Sequence, residues 1–263
     1  MLLLLDIGNT HTHVGLANAT GIVRTHDFPT AEIRAGRALP ELKRWIGFRK
    51  LATAGLCSVV PEATGPAQDL VVALMGRMAL QLTPDTITGV GIDYPRPRTI
   101  GQDRLANAVA AHHYFGAPVV VVDFGTAVTF DVVDRRGKYI GGIIAPGLAA
   151  MTDYLHEKTA LLPRIRIAEP RGVIGRNTRE AMLVGAVYGY RGLVRGLIQE
   201  VRRELGARQL PVVATGGYAT LLARHLPEIN EVRPNLTLEG LRLVCLAHPA
   251  HSGPTPAPRR RKE

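Results

Sequence analysis

The strongest constraint in this sequence is a short pattern that occurs twice. The apolar run at residues 1–5 ends in Asp6-Ile7-Gly8-Asn9-Thr10, and 117 residues further on the run at 119–122 ends in Asp123-Phe124-Gly125-Thr126. Each reads as a buried strand that delivers a carboxylate to a glycine turn, with a second strand following at 11–17 and at 128–133. Helical patterns at 34–48 and 62–78 alternate with short strands at 51–59 and near Leu80 in the first half. Strands through 141–145, helices at 148–162 and 178–205, a strand at 211–214 and a helix at 218–225 make up the second, and the folded part ends near Ala247. Alternating strands and helices give an α/β protein. The paired hairpins predict a duplicated α/β fold with a ligand cleft between the two halves.

Composition excludes several other classes. At 263 residues the chain is long enough for a sizeable core, and 46% apolar with 21% charged residues matches a folded globular protein rather than a disordered or fibrous one. Its longest apolar runs fall far short of the roughly 20 residues that span a bilayer. No basic residue precedes the N-terminal leucines and Asp6 cuts them short, so the chain reads as cytoplasmic, without a signal peptide or membrane contact. The net charge of +10 raises the question of a polyanionic partner. Arg259, Arg260, Arg261 and Lys262 with Glu263 supply +3 of it, after a Pro-rich stretch, so residues 248–263 read as a disordered basic tail. The rest is scattered without an aromatic-interleaved basic stripe, which makes nucleic acid an unlikely partner. Cys57 and Cys245 stand far apart in apolar contexts and read as buried thiols.

The chemistry concentrates at the turns. A carboxylate at a strand end beside a glycine turn places one charge and several backbone N–H groups in the same space, which suits a nucleotide phosphate with its Mg²⁺. Asn9 and Thr10 add donors to the first copy, and Thr126 and Thr129 add hydroxyls to the second. Neither G-x-x-x-x-G-K-[ST] nor a strand-linked G-x-G-x-x-G occurs, so P-loop and Rossmann enzymes are poor fits. His156-Glu157 begins like a zinc-protease motif, but Ala160 stands where the second histidine is needed. Gly101-Gln102-Asp103-Arg104 precedes a helical pattern. Asp103 there is either a helix cap or the group that accepts a hydroxyl proton in phosphoryl transfer, with Arg104 neutralising an anion. Thr215-Gly216-Gly217 offers a flat backbone surface for a purine ring.

Together these segments resemble type III pantothenate kinases. The resemblance rests on seven motifs in order: 6–10, Ser58-Val59-Val60-Pro61, 101–104, Asp123-Phe124-Gly125-Thr126-Ala127, Gly141-Gly142 with Pro146-Gly147, Gly175-Arg176-Asn177-Thr178, and 215–217. It implies a duplicated ribonuclease-H-like, actin-like ATPase fold with two halves around a nucleotide cleft, divided at 1–117 and 118–247. It also implies ATP-dependent phosphorylation of pantothenate, the first step of coenzyme A synthesis, in a homodimer. By that resemblance Asp103 is the catalytic proton acceptor. Asp6, Ile7, Gly8, Asn9, Thr10, His11, Thr12, His13 and Thr126 bind ATP with Mg²⁺, and Asp123 holds a monovalent cation, K⁺ or NH₄⁺. Tyr94, Gly101, Gln102, Asp103, Arg104 and Thr178 bind pantothenate, Thr178 reaching the neighbouring subunit's substrate. Position 11 is His where the family often has Asn, position 57 Cys where Ser is common, and position 128 Val where Thr is common. The competing expectation is a non-catalytic transcriptional accessory factor on the same fold that binds nucleic acid.

Overall fold

In the computed structural model, which describes residues 1–248, the chain runs β1 (Leu2–Ile7), β2 (His11–Ala17), β3 (Ile22–Pro29), α1 (Thr30–Arg34), α2 (Leu39–Ile46), β4 (Thr53–Ser58), α3 (Pro61–Met75) and β5 (Leu80–Gln81). There follow β6 (Gly91–Ile92), α4 (Gln102–Phe115), β7 (Val119–Phe124), β8 (Ala127–Val133), β9 (Lys138–Pro146) and α5 (Leu148–Lys158). The last elements are α6 (Thr178–Glu204), β10 (Val212–Thr215), α7 (Ala219–Ala223), β11 (Glu231–Val232) and α8 (Leu236–Ala247). Among the described residues no helix is long and apolar enough to cross a membrane. The expected basic tail lies outside the described residues, apart from His248.

Two compact units result, and the chain interleaves between them. One holds residues 1–88, 98–106 and 237–248; the other holds 89–97 and 107–236. Helix α4 begins in the first unit and continues in the second, and α8 brings the chain back to the first.

The first unit carries a five-stranded sheet of order β3-β2-β1-β4-β5. The second carries a six-stranded sheet of order β11-β10-β7-β8-β9-β6. Read from the third strand outward, β3-β2-β1-β4-β5 and β9-β8-β7-β10-β11 are the same topology, with the first pairs antiparallel and β1–β4 and β7–β10 parallel. The fold is therefore duplicated well beyond the few residues the two hairpins share in sequence.

Alternation along the strands fixes where each carboxylate points. Leu3, Leu5 and Ile7 enter one apolar cluster with Trp45, Leu56 and Leu70. Asp6 therefore projects from the opposite face of the sheet. Likewise Val120, Val122 and Phe124 pack with Tyr190, Val194 and Leu222, and Asp123 projects from the other face. Of the helix expected at 34–48 only α2 forms, because α1 ends at Arg34, Gly36 turns the chain at φ 68° and Pro40 sits in the first turn of α2. Both β3 and α8 arise where the sequence reading assigned no element.

Candidate active site

In the first unit, Asp6 is half-buried near the end of β1, opposite Cys57 of β4 and His13 of β2. The Cys57 thiol donates to Asp6 Oδ1 across 3.2 Å. The turn behind the carboxylate is tied down by its own backbone: Gly8 N–H donates to His11 O at 3.0 Å, and the Thr30 hydroxyl donates to Gly8 O at 2.7 Å. Gly8 does not have positive φ; what the position needs is room, since a Cβ there would lie 3.0 Å from His11 O. Asn9, Thr10 and His11 are exposed on the turn, with donors available to a phosphate. Thr12 is fully buried, with its hydroxyl 3.1 Å from that of Thr30, so it supports the turn from beneath. His13 is exposed and its Nδ1 lies 2.6 Å from Asp27 Oδ1.

The start of α4 completes this unit's set. Gln102 Oε1 accepts from Ser58 N–H at 2.9 Å, which fastens the helix start to the end of β4. Asp103 Oδ1 accepts from Arg104 N–H at 2.8 Å. A Cβ at Gly101 would stand 2.5 Å from that same oxygen, so glycine is what lets the carboxylate lie back over the helix start. Burial pushes the Asp103 carboxyl above the usual carboxylate range, partly offset by the Arg104 N–H and guanidinium. Such a carboxyl is a stronger base than an exposed one. Asp6 and Asp103 both raise the Cys57 thiol through their charge, after the larger effect of burial, so Asp6, Cys57 and Asp103 form one electrostatic group.

In the second unit, Asp123 is half-buried near the end of β7, opposite Thr129 of β8 and Thr215 of β10. Asn107, fully buried on α4, donates through Nδ2 to Asp123 Oδ2 across 3.2 Å. Gly216 follows Thr215 at φ +90°, and a Cβ there would come 2.5 Å from Asp123 Oδ1. Only glycine at position 216 leaves room for the Asp123 carboxylate. Thr126 is exposed in the turn, and its carbonyl accepts from Gly147 N–H at 3.1 Å. Tyr94, just after β6, sets its ring edge-on to Tyr139 at 6.2 Å between centroids. Thr178 is the exposed first residue of α6. There Asn177 Oδ1 accepts from Glu180 N–H at 3.0 Å while Glu180 accepts from Arg176 N–H at 2.9 Å. The loop before it is anchored by buried Arg191, which grips Glu169 through two bonds of 2.9 and 2.7 Å.

Two contributors escaped the sequence reading, Cys57 as the donor to Asp6 and Asn107 as the donor to Asp123. The one visible signal was Asn107 itself, a lone amide in the apolar run Leu105-Ala106-Asn107-Ala108-Val109. Among the described residues no group of three or more His, Cys, Asp or Glu side chains gathers as a metal cage. Magnesium delivered with a nucleotide requires none, since it is held by one or two carboxylates, phosphate oxygens and water. A single strand-end carboxylate such as Asp6 is a donor of that kind.

Residues 2–200 match the family described as type III pantothenate kinase. A type III pantothenate kinase of Akkermansia muciniphila is 48% identical over 244 residues, covering 92% of this chain and 97% of its own. One from Brevibacillus brevis is 42% identical over 250 residues, covering 93% and 98%. Among solved structures, a putative Baf family transcriptional activator from Campylobacter jejuni superposes with a TM-score of 0.62 at 18% identity, over 94% of this chain and 98% of its own. A putative 2-dehydro-3-deoxygalactonokinase from Sinorhizobium meliloti does so with a TM-score of 0.54 at 12% identity, over 94% and 99%. At such identities these two likenesses bear on the fold alone.

Proposed function

Given that the chain belongs to the type III pantothenate kinase family, we propose a division of labour among its residues in the ATP-dependent phosphorylation of pantothenate, the first step of coenzyme A synthesis. The observation that carries this reading is the family match over residues 2–200, within which Asp103 stands as a half-buried carboxylate at the start of α4. Asp103 accepts the proton of the primary hydroxyl of pantothenate as that oxygen bonds to the γ-phosphorus of ATP. The bond from the γ-phosphorus to the bridging oxygen breaks, and ADP leaves. The alignment of the reactants and the neutralisation of phosphate charge supply most of the remaining catalysis.

In the first unit, the segment from Asp6 to His13 binds ATP through its turn N–H groups and the Asn9 and Thr10 side chains; Thr12 serves by holding the turn. In the second unit, Thr126 binds ATP and Asp123 holds a monovalent cation, K⁺ or NH₄⁺. Magnesium bound with ATP would screen the phosphate charges, with Asp6 as the strand-end carboxylate fit to receive it. Gly101, Gln102, Asp103 and Arg104 bind pantothenate in the first unit, and Tyr94 and Thr178 in the second. Gln102 acts partly through its bond to Ser58, which fixes where α4 begins. We place this chemistry in the cytoplasm.

The active form is a homodimer joined through α6. Gly185, Gly189, Gly192 and Gly196 share one face of that helix, and a Cβ at any of them would meet nothing within 4 Å. Each interior glycine costs about 1 kcal/mol relative to alanine, and among the described residues no segment packs close enough to use the space. Tyr188 is exposed on the same face, with Met151, Tyr154 and Leu155 of α5 exposed in the same unit. A second copy of α6 gives the bare face a use.

A coupled assay tests the reaction. ADP release requires pantothenate, and 4′-phosphopantothenate accumulates mole for mole. ATP turnover undiminished without pantothenate would overturn the reading.

A further inference from the structure

Cys57 is fully buried in the middle of the first unit, yet its thiol is spent on a polar partner rather than on packing alone. It lies directly opposite Asp6 in the parallel register of β1 and β4, and Sγ stands 3.2 Å from Asp6 Oδ1. A sulfur–oxygen separation that short is a directed S–H···O bond onto a charged acceptor. The thiol is the donor in this bond and the carboxylate the acceptor. We propose that Cys57 is a positioning residue for the nucleotide, its S–H bond fixing the rotamer of the Asp6 carboxylate at the end of β1. This rests on the assignment of Asp6 to ATP binding above.

The argument is one of geometry. Asp6 has a backbone fixed by pairing on both sides, to β2 and to β4, so what is left to settle is the torsion of its carboxylate. Cys57 supplies a donor from the neighbouring strand at the same level. Serine would keep a donor there with a shorter reach, and alanine would remove it.

The test uses the full chain and two readouts. In a Cys245→Ala background the infrared S–H stretching band reports Cys57 alone. We expect it at the low frequency of a hydrogen-bonded thiol, to rise when Asp6 is changed to Asn, and to shift on addition of MgATP. Kinetically, Cys57→Ala raises KM for ATP roughly 3–10-fold, the effect of one lost hydrogen bond of ordinary strength, with KM for pantothenate unchanged. Cys57→Ser recovers most of the loss. A band indifferent to Asp6→Asn would overturn the bond itself, and a Cys57→Ala enzyme with unaltered KM for ATP would overturn the positioning role. A band that responds to Asp6→Asn but not to MgATP would instead reject Asp6 as a nucleotide ligand, and with it the positioning role that depends on it.

Discussion

The amide of Asn107 holds the carboxylate of Asp123: a fully buried donor on α4 reaches a strand-end acceptor on β7 across 3.2 Å. On the other side the same carboxylate is faced by the bare Cα of Gly216. Asp123 Oδ2 thus meets a donor, and Oδ1 lies where only glycine fits at position 216, both within its own unit.

Removing the amide tests the first of these. Asn107→Leu leaves a half-buried carboxylate short of a donor, which costs about 1–3 kcal/mol of stability. Asn107→Asp is worse for activity, since it sets a second negative charge against Asp123. Urea unfolding midpoints and the K⁺ dependence of turnover read the two effects separately.

Adding a side chain at Gly216 tests the second. Gly216→Ala places a Cβ where Asp123 Oδ1 and the Phe124 backbone already crowd, at a φ of +90° that alanine rarely adopts. The combined strain costs about 1–3 kcal/mol and displaces the carboxylate. A loss of turnover larger than the loss of stability explains is the expected result.

Asp103→Asn lowers kcat by about 10²–10⁴-fold with ATP binding little changed, as expected for removal of a general base. Normal turnover would reject Asp103 in that role. Because burial raises its carboxyl, the acidic limb of the wild-type pH–rate profile lies above the usual value of 3.8 for an aspartate. Below that limb Asp103 is protonated and cannot accept the hydroxyl proton.

The same shift has a consequence for stability. A carboxyl with a higher pKa folded than unfolded binds its proton more tightly in the native state. Its contribution is present below 3.8 and is lost as the pH rises through the raised folded value. At neutral pH the charge therefore costs stability, and Asp103→Asn raises Tm while it destroys turnover. Thermal melts at pH 7 check the direction.

Gly189→Leu fills the bare face of α6 without touching the chain's own core, because a Cβ there meets nothing within 4 Å. The variant folds, becomes monomeric in light scattering and loses pantothenate affinity together with the dimer. A wild type that is monomeric at full activity would disprove the dimer reading.

Local sequence determined the two hairpins of this protein, because each consists of a short apolar run, a carboxylate and a glycine turn, all decided by neighbours in the chain. It likewise determined the 27-residue α6, which begins at Thr178 behind an Asn177 cap. The helical pattern at 34–48 misled because apolar periodicity does not register a turn at Gly36. Tertiary structure alone decided the rest. The common strand order of the two sheets depends on β4 and β10 pairing with strands far away in sequence. The return of α8 to the first unit is a matter of long-range packing. Cys57 is 51 residues from Asp6, and Asn107 is 16 residues from Asp123. Which donor meets which carboxylate is set by strand register and by the position of α4, and no short stretch of sequence contains either.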